Sequence, residues 1–168
     1  MVIEELLDEE AFKPEKLFDK ENYSTLTLAL NAEPKFKEKD VDILIALLDP
    51  NLDWEDKEEK LLFIKNHKLN TLLIKAVQEA ENDEDRAKLL CICWESGLDF
   101  KNDFLFFVEQ ALSTNYLVAL EAFTVADNIE DVTDEKVLTK AILLIEECKT
   151  GNKQILEDLK TTILSKKI

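Results

Sequence analysis

The tripeptide Asn51-Leu52-Asp53, followed by Trp54, recurs as Gly97-Leu98-Asp99, followed by Phe100, at a shift of 46 (51 to 97). The likeness spreads to both sides. Upstream, Leu44-Ile45-Ala46-Leu47-Leu48 aligns with Leu90-Cys91-Ile92-Cys93-Trp94. Downstream, after a slip of one residue, Asn70-Thr71-Leu72-Leu73-Ile74 aligns with Asn115-Tyr116-Leu117-Val118-Ala119. A period of this size in a helical sequence marks units that bury their apolar faces by stacking on each other. It constrains the architecture and leaves the activity open.

The units are helical by composition. Two glycines and three prolines are too few for a sheet protein, which needs a turn every ten residues or so. Leu, Glu, Lys, Ala and Ile dominate, and most of these favour helices. An apolar content of 46% argues against disorder, and 168 residues without a Ser- or Gly-rich linker read as one domain, 1–168.

Capping signals place the helices. Residues 1–20 read as a short amphipathic start, with Ile3, Leu6 and Leu7 on one face and a turn after Pro14 carrying Leu17 and Phe18. Ser24 is expected to cap a helix to about Ala32, and Asp40 one through Leu48 that stops at Asp49-Pro50. Asp53 caps a helix over 54–66, and a bend at His67-Lys68 leads to one over 69–81. Further helices follow over 84–96, closed by a left-handed Gly97, then 102–112, 114–127, 134–148 and 152–165. The last has a lysine-rich outer side, as the terminal helix of a stack requires.

Two such units, each of three helices joined by short loops, resemble armadillo or HEAT repeats in period and layout over residues 40–130. The resemblance implies an all-α fold, a right-handed stack of helices forming an armadillo/HEAT-like α–α superhelix. It also implies a curved, non-enzymatic scaffold that presents helices to a protein partner.

The formal net charge is −16, and Arg86 is the single arginine. Phosphate backbones and anionic membrane surfaces are held by surplus Lys and Arg, so neither nucleic acid nor membrane is expected as a partner. Another protein, in the sharper form a basic one, is. The first six residues carry no secretory signal, and no run of 18 apolar residues exists to span a bilayer. Cys91 and Cys93 point to different sides of a helix and cannot pair easily, so all three cysteines read as reduced thiols of a cytoplasmic protein.

No catalytic constellation or cofactor is expected. A lone His67 excludes a three-histidine zinc site, and Cys91-x-Cys93 lacks the spacing and the second pair of a zinc knuckle. Asn82-Asp83-Glu84-Asp85 and the acids from 127 to 134 have oxygens for calcium but no glycine for the loop. Two isolated glycines cannot build a phosphate loop. An enzyme of this composition would rely on carboxylates, one of them with a raised pKa.

Two features carry the candidate partner-binding residues. Acids cluster at two junctions one period apart: Glu81, Asp83, Glu84 and Asp85, then Glu130, Asp131 and Asp134. Equivalent loops of a stack lie along one edge, so these are expected to form a ridge, either solvated or docking a basic partner. The run Phe104-Leu105-Phe106-Phe107-Val108 is apolar on every side. It is either a central buried helix or, through Phe104 and Phe107 with Trp94 or Tyr116, part of a groove for a partner. The alternative functions are an acidic, immunity-type inhibitor of a basic protein and a helical carboxylate enzyme.

Overall fold

The computed structural model describes residues 18–166, and the expected amphipathic start at Ile3, Leu6, Leu7 and Leu17 lies outside them. Among the described residues there are nine α-helices and no strand. They are α1 (Ser24–Asn31), α2 (Glu38–Ala46), α3 (Trp54–Asn66), α4 (Asn70–Glu79), α5 (Asp83–Glu95), α6 (Phe104–Ala111), α7 (Tyr116–Asn128), α8 (Glu135–Glu147) and α9 (Lys153–Lys166). Short 3₁₀ turns at Lys20–Tyr23 and Lys101–Asp103 lead into α1 and α6.

Most helix starts follow the capping chemistry of the sequence. Asp53, Asn82, Asn115 and Asp134 each accept a hydrogen bond from a backbone N–H of the turn they open. Two expected caps are displaced. Ser24 is the first helical residue of α1, and Asp40 lies inside the first turn of α2, mostly buried. At the bend after α3, His67 Nδ1 is 2.9 Å from the Phe63 carbonyl oxygen, and its ring stacks on Phe63. Lys68 then turns the chain with φ 51°, and Gly97 does the same after α5 with φ 72°.

One hydrophobic cluster runs from Leu26 of α1 to Ile163 of α9. Helix α7 is its hub: its close neighbours are α5, α6 and α9. Its buried side is Val118, Ala119, Ala122, Val125 and Ala126, and small residues let neighbouring backbones approach. Helix α8 covers α6, and α9 covers α8 and α7. Toward the N-terminal end, α4 joins α5, and α1 packs on both α2 and α4.

The internal likeness is kept in part. Leu44 and Leu90, Leu47 and Cys93, Leu73 and Val118, and Val77 and Ala122 are buried in both units. Leu52 and Leu98 are both half-buried against the core. Asp53 opens α3 directly, whereas Asp99 accepts from Lys101 N–H at 3.0 Å and opens the 3₁₀ turn before α6. Trp54 is 70% exposed and its counterpart Phe100 is 1% exposed. The two units therefore share a pattern of buried positions but turn one aromatic side chain opposite ways.

Candidate interaction surface

The first acidic junction is built from helix-start chemistry. Asn82 accepts from Asp85 N–H at 2.8 Å, and Asp83, Glu84 and Asp85 fill the first turn of α5, where the positive end of the helix dipole favours them. Asp83 meets Arg86 Nη1 at 2.6 Å, and Glu84 meets Lys88 at 3.5 Å. The Tyr23 phenol next to this turn is pushed up to about 12 by burial and by the neighbouring Asp85 and Glu84 carboxylates. Glu81 is exposed beside them.

At the second junction Glu130 and Asp131 are exposed, and Asp134 caps α8 by accepting from Lys136 N–H at 2.9 Å. Asp131 and Asp134 share a cleft of about 530 Å³ with Lys101, Asp103 and Leu105 at the start of α6. Burial raises the Asp103 carboxyl. The first junction lies elsewhere: Arg86 faces Glu109, Gln110 and Ser113 at the other end of α6. The cleft of the second junction and the depression that Arg86 lines thus border opposite ends of α6. No group of three or more metal-binding side chains occurs among the described residues.

The aromatic run divides by face. Phe104 and Phe107 are 1% and 0% exposed, and Phe107 packs edge-on against Phe100 with ring centroids 5.0 Å apart. Their rings pack in the core, and Phe104 also borders the cleft at the start of α6. Trp94 and Tyr116, named with them, are at the surface.

A second cleft, of about 450 Å³, opens where the Asp49-Pro50 turn meets α3 and α5. Leu47, Leu48, Leu52 and Ile92 supply its apolar lining, and Trp54 stands at its edge. Its polar side is tied together: Glu95 accepts from Lys57 Nζ at 2.9 Å and from the Cys91 thiol at 3.1 Å. Burial and that carboxylate push the thiol up, so Cys91 stays protonated and is no poised nucleophile. Just beyond, the Trp94 indole N–H donates to Glu121 at 2.5 Å. Glu121 shares a face of α7 with Leu117, which is exposed, as is Tyr116 at the start of that helix.

No match was found among protein-family models, curated proteins or solved structures. The surface must therefore be read from its own chemistry. Exposed tryptophan and tyrosine next to an apolar cleft with a satisfied polar rim are the ingredients of a binding hot spot. Sequence reasoning passed over Trp54. The available signal was its position as the first residue of the run Trp54-Glu55-Asp56-Lys57-Glu58-Glu59-Lys60, where no apolar neighbour draws it inward.

Proposed function

We propose that this chain is a non-enzymatic, cytoplasmic interaction scaffold whose helices stack in armadillo/HEAT fashion and whose partner docks on the cleft edged by Trp54, with Trp94 just beyond it. The observation that carries the reading is that Trp54, 70% exposed, stands at the edge of an apolar cleft, with the 38% exposed Trp94 on the helix that supplies the cleft's Cys91, Ile92 and Glu95. A soluble protein gains nothing in stability by leaving indole area in water, whereas truncating such residues at an interface removes a large share of affinity. The partner's surface is basic in this reading, because the chain carries −16 overall. An acidic inhibitor of a basic protein is the same arrangement with a blocked target.

The test is capture of partners on the immobilised full chain, compared with Trp54→Ala and Trp94→Ala chains that keep the same helical circular dichroism. A protein held by the parent chain should be lost from both variants, with affinity down at least about tenfold for a residue worth ~2 kcal/mol. Its binding should also weaken as salt rises. Reversing Glu81, Asp83, Glu130 and Asp131 to lysine should slow its association more than reversing Glu4, Glu5, Asp8 and Glu9. Capture that is indifferent to both tryptophans would remove the cleft as the docking site.

A further inference from the structure

Helix α3 buries less of itself than the helices around it. Of its thirteen residues one, Ile64, is buried, whereas α5 and α7, of the same length, each bury five. The sequence gives the reason. Trp54 is followed by Glu55, Asp56, Lys57, Glu58, Glu59 and Lys60, so the first half of the helix has no apolar face to bury. In the second half Leu61 is half-buried against the core, and Leu62 is 55% exposed. The helix packs on α2, and across the cleft it is tied to α5 by Lys57 and Glu95 at 2.9 Å. Bends stand at both ends: the Asp49-Pro50 turn precedes it, and Lys68, with φ 51°, follows it.

We infer that α3 opens as a unit while the rest of the fold stays closed, which makes it a movable wall of the Trp54 cleft. Stability is spread unevenly over a fold, and a segment with few buried apolar contacts opens at a lower cost than the core. Closure of α3 rests on Ile64, Leu61 and an ion pair whose side chains are 32% and 19% exposed. Its departure does not cut the chain's core, because α2 remains packed on α1, and α1 on α4. Once detached, a helix of thirteen residues is marginal in water, so opening and unwinding go together. The cleft then loses Trp54 and Lys57 and keeps Leu47, Leu48 and Ile92. A partner seated between Trp54 and α5 touches both walls and so holds α3 closed. That last consequence rests on the docking reading; the opening is a property of the free chain.

Hydrogen exchange on the full-length chain without a partner tests it, comparing the amides of residues 58–65 in α3 with those of residues 119–126 in α7. After correction for intrinsic rates, the α3 amides should exchange at least about a hundredfold faster. Lys57→Gln, which removes the tie to Glu95, should speed them a further two- to fivefold, roughly the effect of losing one partly exposed ion pair. Val125→Ala, a truncation in the buried side of α7, should speed the α7 amides by about tenfold and leave the α3 amides unchanged, since the core is intact in both the closed and the α3-open states. Equal protection of the two helices in the parent chain would overturn the inference. So would α3 accelerating together with α7 in Val125→Ala, because α3 would then open only when the whole molecule unfolds. Neither result bears on partner capture by the Trp54→Ala chain, so this inference and the docking reading fail separately.

Discussion

Tyr23 shows what one residue's surroundings do to its chemistry. Its phenol sits beside the first turn of α5, partly buried and close to Asp85 and Glu84, and titrates near 12 instead of 10.0. The sign follows from proton counting. Between pH 10 and 12 the unfolded phenol loses its proton while the folded one keeps it, so the unfolded state binds fewer protons and stability falls as pH rises. Below 10 both states are protonated and this group contributes no pH dependence. Tyr23→Phe should therefore lose less stability than the parent between pH 10 and 12, with both curves parallel below pH 9. Denaturant midpoints measured across that range check it, and superimposable curves would show that the folded phenol is not perturbed.

Among the elements, the end of α4 is the most unusual, and one side chain accounts for it. The helix stops at Ala80 without a glycine, leaving carbonyls that need donors. Arg86, one turn into the next helix, donates Nη2 to the Ala80 oxygen at 3.0 Å and Nε to the Val77 oxygen at 3.4 Å, while Nη1 holds Asp83. The guanidinium thus caps the C-terminal end of α4 from outside. Arg86→Ala should cost about 1–3 kcal/mol, since it frees partly buried carbonyls, and Arg86→Lys should restore little because an ammonium cannot serve three partners in a plane. Amide exchange at 78–82 should accelerate in both; unchanged exchange there would mean that the cap is ornamental.

The same junction explains which elements the sequence made legible. Asp53, Asp134 and Gly97 act locally, so their caps and turn are readable within five residues. Arg86 reads as a charge, because its partners are set by how α5 folds back on α4. Trp54 and Phe100 occupy matched places in the sequence yet differ by almost the full range of exposure, since α3 starts at once whereas α6 is entered through a 3₁₀ turn. Period 3.6 identifies a buried stripe on Phe104 and Phe107, but not that the rest of that helix would be covered by α8.

Across the whole molecule, charge and aromatic residues are distributed by different rules. The acids described above mostly open helices, which lets a chain of net charge −16 place negative groups where backbone N–H donors welcome them. No described helix is long and apolar enough to cross a membrane. Trp54 stands at the edge of the surface cleft and Trp94, 38% exposed, is tied to Glu121, while the core holds phenylalanine. This gives the protein an unusual spectroscopic split. In a Trp94→Phe chain, emission from the 70% exposed Trp54 should already resemble that of an indole in water, so unfolding in denaturant should move it by little while far-UV circular dichroism collapses. A ligand that dries the cleft should shift it to shorter wavelength with no change in helicity. The chain carries in Trp54 a fluorophore that is nearly blind to its folding and tuned to whatever touches its surface.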